Sequence, residues 1–421
     1  MGRYHAYKQA GSVSLFLVIL TALLVTTVTV AFVRLMVTNQ EQATANDLSR
    51  SALDSAYAGV EDAKRAIVTY RVKCIPDQEL ATPTECASLQ QSLGDASRPC
   101  NTIQRSGIAG AADDTEVLIK RTATTAADEL LQQAYTCVRI TLTPNDFIGI
   151  LKQDVSKMVP LKGTAPFNEI AIEWFSQKDL QSAVDADGNA LTDIALVGED
   201  QSGIPLPAKA LPKLADWPRN RPALLRTQLI QIGDEFRLSE FDSSSTDNTN
   251  NASLFMMPSL VGAGPIEDPT STKLNFNADA RRSPSVSVLQ EVKCNPNFST
   301  TSIGSSYACS TMIRLPNAVG ENDATRREAY LRLTSLYNPN TSFRIMLFND
   351  GVPVLFDNVQ PEVDSTGRAN DFFRRVKSRV ELDTSNIPYV EAAVDLSGSL
   401  CKTFTVTDQA NDFSSGDCRI E

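Results

Sequence analysis

The residues of this chain best suited to chemistry are its eight cysteines: Cys74, Cys86, Cys100, Cys137, Cys294, Cys309, Cys401 and Cys418. They form an even set, no two make a CxxC pair, and the only histidine is His5. Structural zinc draws on paired cysteines and histidines, so this set suits disulfides formed in an oxidising compartment. Short separations favour Cys294 with Cys309 and Cys401 with Cys418. Cys74, Cys86, Cys100 and Cys137 are then left to pair among themselves, in a connectivity that spacing does not fix.

A second candidate is Asp185-Ala-Asp-Gly-Asn-Ala-Leu-Thr-Asp193. Asp185, Asp187, Asn189 and Asp193 place oxygen ligands at intervals that suit Ca²⁺. The EF-hand spacing fails, because Gly188 comes too early and Leu196 stands where the closing Glu belongs. Asp-Gly and Gly-Asn are turn chemistry as well, so a turn between strands competes with the metal reading. No other cofactor is implied. Arg374, Arg375, Lys377 and Arg379 form a basic run that reads as a solvated strand face. Trp174 and Trp217 read as core.

Other chemistry lacks its residues. With His5 alone, Ser-His-Asp and Cys-His catalysis and His-ligated zinc have no base or ligand. No Gly-rich phosphate loop with Lys-Ser/Thr occurs. Carboxylate pairs leave no local signature, but nothing else points to an enzyme. A formal net charge of −11 leaves no excess of Lys and Arg to neutralise phosphates, so no nucleic-acid partner is expected.

The elements that must position these residues begin with one tract. Ser12 to Val33 is a run of about 22 uncharged residues, long enough to cross a bilayer as a helix. Phe16, Leu20, Leu24 and Val28 are its candidate residues for lipid or helix contact. Arg3, Lys8 and His5 precede it, and Arg34, Glu41 and Asp47 follow. The positive-inside rule then puts the N-terminus in the cytoplasm and the rest outside. The helical pattern continues: Ala45, Leu48, Ala52, Ala56, Val60, Ala63 and Ile67 make one apolar stripe. Gln42, Asn46, Asp47, Arg50, Asp54, Glu61, Lys64 and Arg65 make the opposite polar face. Gly59 is a weak point in that helix, and Pro76 stops it.

Beyond it the signals are short and β-like: Val138–Leu142, Glu169–Trp174, Leu225–Ile232, Ser285–Leu289, Tyr330–Tyr337, Ser342–Phe348, Val352–Phe356, Phe372–Leu382 and Thr403–Thr407. Asn349-Asp-Gly351 is a hairpin turn signal. The polar segment 242–253 reads as a loop or hinge. The expected fold is α+β: a long N-terminal membrane or filament helix, then a β-rich antiparallel, sandwich-like ectodomain. The expected divisions are a leader at 1–11, the apolar helix at 12–33 and its amphipathic extension at 34–73. A disulfide-bearing first lobe at 74–241, the hinge at 242–253 and a second lobe at 254–421 complete the chain.

A short basic leader ending in Gly11, with an apolar helix starting at once, resembles the signal of type IV pilins and pseudopilins. The segment Ser51-Ala-Leu-Asp-Ser-Ala-Tyr-Ala-Gly-Val-Glu-Asp-Ala-Lys-Arg-Ala66 is similar to the Ala-rich segment of PilX-type pilus assembly proteins. Gly59, Glu61 and Ala63 match, and Tyr57 stands where that pattern has Glu. The resemblance covers roughly a sixth of the chain. It implies cleavage by a prepilin peptidase between Gly11 and Ser12, methylation of the new N-terminus, and a C-terminal disulfide loop closed by Cys401 and Cys418. It also implies a single-pass protein with an extracytoplasmic C-terminal domain that reaches the cell surface in a pilus. Its partners would be other pilin subunits and the inner-membrane assembly machinery. Major pilins carry Glu at the fifth mature position; here Phe16 stands there, which implies a minor pilin. Its role would be pilus assembly and surface attachment or motility. The alternatives are a membrane-anchored surface binding protein or adhesin that never enters a filament, and an anchored extracellular enzyme.

Overall fold

A computed structural model describes residues 11–74, 83–94, 100, 102–108, 116–119, 132–184, 187–189, 191–196, 217–232, 251–264, 266, 271–278, 289–297, 307–320, 328–337 and 340–381. The architecture is α+β, as the sequence predicts. Its first element is helix α1, Gly11–Cys74, 64 residues long. At 1.5 Å per residue that is about 96 Å. No Pro interrupts it, and the first Gly after its start is Gly59. The predicted stripe is the buried face: Ala52, Ala56, Val60, Ala63 and Ile67 are buried, with Ala45 and Leu48 half-buried at its near end. The predicted polar face is exposed except for Lys64, which is half-buried.

The chain divides into two compact units, Met1–Ile140 with Glu362–Ser378, and Thr141–Pro361 with Arg379–Glu421. The first unit holds α1, α2 (Pro83–Gly94), the single turn α3 (Thr102–Arg105) and a four-stranded sheet. That sheet runs β1 (Val117–Leu118), β2 (Ala134–Thr141), β15 (Glu362–Ala369), β16 (Phe372–Arg379). Disulfides Cys74–Cys86 and Cys100–Cys137 settle the pairing that the spacing left open. The first joins the end of α1 to α2, and the second fixes the segment before α3 to β2.

The stripe of α1 lies on β15, and two glycines set how close they come. A Cβ on Gly367 would stand 2.2 Å from both the Ala52 carbonyl oxygen and the Ala56 nitrogen. A Cβ on Gly59 would stand 2.4 Å from Ser365 Oγ and 2.9 Å from Val138 Cγ2. Gly59 is therefore a contact point of the helix with its sheet. The propensity cost that made it look weak is the condition for that close approach.

Among the described residues the second unit holds two six-stranded sheets. One runs β10 (Leu289–Lys293), β7 (Asn251–Ser259), β6 (Leu225–Ile232), β12 (Glu328–Ser335), β4 (Ser156–Leu161), with β9 (Asn277–Ala278) beside β7. The other runs β14 (Val352–Val354), β13 (Asn340–Asn349), β5 (Phe167–Ser176), β11 (Tyr307–Val319), β8 (Leu274–Asn275), with β3 (Phe147–Lys152) beside β13. Both sheets contribute to one apolar core: Val159, Leu229, Met256 and Leu331 from one, and Ile172, Trp174, Ile313 and Phe343 from the other. This is the sandwich-like packing that alternating strands produce. Two edge pairings, β10 with β7 and β11 with β8, are parallel, so the sheets are mixed.

Two predicted boundaries move. Segment 242–253 does not separate two lobes: its last three residues begin β7, which pairs with β6, so the strands flanking it are neighbours in one sheet. The polar side chains of Asn251 and Ser253 gave no sign of this, because a strand is set by its ladder as well as by its apolar face. The expected lobes 74–241 and 254–421 each supply strands to the same sheets. Residues 285–288 and 403–407 lie outside the described residues. The Asn349-Asp-Gly351 turn forms as predicted, with Asp350 at φ 48° and Gly351 at φ 81° joining β13 to β14. Two successive positive φ values are the signature of a type I′ turn.

Candidate functional site: the apolar half of the long helix

Among the described residues nothing covers the first half of α1. Phe16 is 70% exposed, and Leu20, Leu24 and Val28 are exposed with it, as are all residues from Leu15 to Val37. Its mean hydropathy reaches 2.6 over an 18-residue window, and it is long and apolar enough to cross a membrane. No ionisable residue lies between Leu15 and Val33, and Arg34 is the first beyond them.

The threonine hydroxyls from Thr21 to Thr29 are satisfied inside the helix. Thr21 Oγ1 donates to the Leu17 carbonyl at 3.0 Å, Thr26 to Leu23 at 2.9 Å, Thr27 to Leu24 at 2.8 Å and Thr29 to Val25 at 2.7 Å. A helix whose side-chain donors find backbone acceptors one turn back needs no water, so it tolerates hydrocarbon or a bundle of like helices. Gly11 and Ser12, the predicted processing pair, stand in its first turn.

The second half is held to the sheet by polar contacts around the glycine approach. The Tyr135 hydroxyl donates to Asp62 Oδ2 at 2.7 Å. Burial, and then this bond to a carboxylate, push the Tyr135 phenol well above its ordinary pKa. Arg374 Nε donates to Ser49 Oγ at 2.7 Å.

On the sheet, the basic run of β16 is paired rather than simply solvated. Arg375 binds Asp364, and Lys377 binds Glu362 at 2.7 Å, making a cross-strand ladder from β16 to β15. The hydrogen bond from Arg375 holds the Asp364 carboxyl below its usual range. Arg368 makes a bidentate pair with Glu116. In the second unit Arg379 Nη2 meets Asp146 Oδ1 at 2.6 Å.

The second unit carries charges that sequence reasoning passed over. Glu169 and Glu173 are buried on the face of β5 opposite Ile170, Ile172 and Trp174. Glu169 takes Lys273 at 2.6 Å and the Gly351 N–H at 3.2 Å. Glu173 takes Arg344, its cross-strand neighbour on β13, whose guanidinium also lies 5.5 Å from the Tyr307 ring centre. The sequence signal was present: an acid at every fourth residue of a strand whose intervening positions are all apolar. Asp179 joins this region by accepting from the Ser342 N–H and hydroxyl, both at 3.0 Å.

The remaining candidates are placed as follows. Cys294 and Cys309 are bonded, as predicted, while Cys401 and Cys418 lie outside the described residues. Of the Ca²⁺ candidates, Asp185 lies outside them too. Gly188, between Asp187 and Asn189, has φ 85°, which is turn geometry, and Asp193 accepts the Thr192 hydroxyl. Among the described residues no three His, Cys, Asp or Glu side chains gather as a metal site. Trp174 is fully buried, donating to the Ala223 carbonyl at 2.9 Å. Trp217 packs in a smaller cluster, stacked on Tyr337 at 4.7 Å with Arg221 over its face.

No protein-family model, curated protein or solved structure matches the chain.

Proposed function

We propose that this protein is a pilin-like subunit, of the minor kind, in a type IV pilus or related filament. It acts in filament assembly and in surface attachment or motility. The observation that carries the reading is the division of labour along α1: an exposed apolar half, continuous without a break with a half clamped to a four-stranded sheet. Such a helix can leave a bilayer only for another apolar environment, and packing against like helices supplies one. The basic leader ending in Gly11 supplies the processing signal. Phe16 at the fifth mature position leaves the helix without a buried acid to neutralise a neighbour's amine, which favours an occasional rather than a repeating subunit.

In this reading the protein is made as a single-pass membrane protein with both compact units outside the cytoplasm, where the disulfides, three of them among the described residues, form. Prepilin peptidase and the inner-membrane assembly machinery act on it first, and other pilins are its lasting partners. It has no catalytic role. The test is the mature N-terminus of protein recovered from sheared surface filaments, by intact mass and terminal sequencing. A chain beginning at Ser12 supports filament entry. A chain retaining Met1 and confined to membranes overturns it and leaves a membrane-anchored surface binding protein.

A further inference from the structure

We propose that β16 is a docking edge, where an extended acidic segment of another protein adds to the four-stranded sheet as a further strand. This edge does not depend on α1 entering a filament.

The hairpin fixes which backbone groups are on offer. The Val380 N–H donates to the Pro361 carbonyl at 2.8 Å, and the short turn Asn370-Asp371 joins β15 to β16. Both give the same register, with Val380 facing Pro361 and Phe372 facing Ala369. Bonded pairs recur at every second residue of an antiparallel ladder. Phe372, Arg374, Val376 and Ser378 therefore bond to β15. The N–H and C=O groups of Phe373, Arg375 and Lys377 point the other way, where β16 is the last strand of its sheet. Phe372 to Arg375 and Lys377 are exposed.

The other edges among the described residues are closed. β1, β8 and β9 have two residues each, β14 has three with Pro353 among them, and β4 carries Pro160. Ala263 takes the outer side of β10, donating to the Glu291 carbonyl at 3.0 Å and accepting from the Lys293 N–H at 2.8 Å. On β3 the Gln360 side chain acts as the plug. Its oxygen accepts from the Ile148 N–H at 3.0 Å, and its nitrogen donates to the Ile148 carbonyl at 2.8 Å. Short strands, prolines and covered edges prevent unwanted pairing. β16 has none of these over its 8 residues.

Charge selects what can pair there. Arg375 and Lys377 hold Asp364 and Glu362 of β15, while Arg374 meets only the neutral Ser49 hydroxyl among the described residues. Cations therefore outnumber carboxylates along this edge. A second copy would set β16 against β16, cation facing cation, which disfavours that pairing. The same charges favour a strand that brings carboxylates. Side chains alternate along β16, with Phe372, Arg374 and Val376 toward α1 and Phe373, Arg375 and Lys377 away from it. The matching segment alternates too, apolar residues toward α1 and carboxylates away. Main-chain bonds to the open groups supply its affinity.

The test uses the full-length protein in detergent micelles and a synthetic peptide of about ten residues, alternating Val and Glu. One control peptide has Lys in place of Glu. The other is the Val-Glu peptide N-methylated at alternate residues, so that it cannot donate to a ladder. The Val-Glu peptide is expected to bind at least about tenfold tighter than either control. It should also slow hydrogen exchange at Phe373, Arg375 and Lys377, and lose affinity as salt rises. Equal binding of the N-methylated peptide would leave charge attraction alone and overturn strand addition, as would no binding at all. Equal binding of the Lys peptide overturns the acidic partner. Exchange that slows with rising protein concentration, and no peptide, makes the edge a contact between copies and likewise overturns the proposal.

Discussion

Gly367 and Ala52 meet backbone to backbone, with room for nothing between the strand and the helix: a methyl group on Gly367 would lie 2.2 Å from the Ala52 carbonyl oxygen. Gly367→Ala must push α1 off its sheet, at a cost of about 3 kcal/mol, the upper range for overpacking a tight contact. Gly59→Ala is the informative companion. In an isolated helix it gains up to about 1 kcal/mol; here its methyl meets Ser365 and Val138, and the net effect is destabilising. Hydrogen exchange across residues 52–67 reads both variants. Stabilisation by Gly59→Ala would remove the close-approach account.

Tyr135 gives the helix–sheet contact a pH limit. Its phenol is held neutral by burial and by its bond to Asp62, so its folded pKa lies above the unfolded value near 10. A pKa raised by folding contributes stability below the unfolded value and loses it as pH climbs beyond. The first unit therefore weakens above about pH 10, and Tyr135→Phe removes that alkaline decline. At neutral pH the same variant loses about 1–2 kcal/mol with the hydrogen bond to a charged partner. Unfolding midpoints of both proteins across alkaline pH decide it.

Tyr307 predicts a separate alkaline step in the second unit. Burial raises its pKa to about 12, and the Arg344 guanidinium only partly offsets that. Its stabilising share holds below pH 10 and disappears between about 10 and 12. Ultraviolet titration of the phenols should contain a late step that Tyr307→Phe deletes; an unchanged titration curve would refute the assignment.

The Glu173–Arg344 pair predicts an asymmetric mutant cycle. Arg344→Met alone leaves a carboxylate buried in β5 and costs about 3–5 kcal/mol, as does Glu173→Leu in the other sense. The double variant replaces the pair by apolar packing and costs less than either single change. Urea unfolding of the four proteins gives the coupling energy. Additive losses would show that the two charges do not act on each other.

The covalent link Cys294–Cys309 closes a loop across the edge of the sandwich, with a sequence separation of 15. Replacing both by Ser costs about 3 kcal/mol in the chain-entropy model. A loss in denaturant midpoint with a somewhat steeper slope is the expected outcome, since the freed unfolded chain exposes more surface. An unchanged midpoint would mean that the bond contributes nothing to the folded state.

Legibility from the sequence tracked the range of the interactions concerned. The stripe from Ala45 to Ile67, the Asp350-Gly351 turn and the run Leu225–Ile232 were readable because periodicity and turn chemistry are local. The candidate site was readable as a tract, since hydropathy alone marks Ser12 to Val33. What escaped depends on partners distant in the chain. Glu169–Trp174 was readable as a strand, and the apolar run between its acids hinted at burial, but nothing near them announces Lys273 or Arg344 as partners. The boundary at 242–253 misled because low apolar content was taken as separation between lobes, whereas it lies between paired neighbours.

The four-stranded sheet has a history as well as a shape. Its central neighbours β2 and β15 are emitted from the ribosome on either side of the whole Thr141–Pro361 segment. At 5–20 residues per second, roughly 220 residues occupy about 10–45 s of synthesis. For that interval the small-residue stripe of α1 has been made but the strand that accepts it has not. The strands of the sandwich are all synthesised before β15, so the four-stranded sheet cannot close on α1 until the segment that interrupts it has been made.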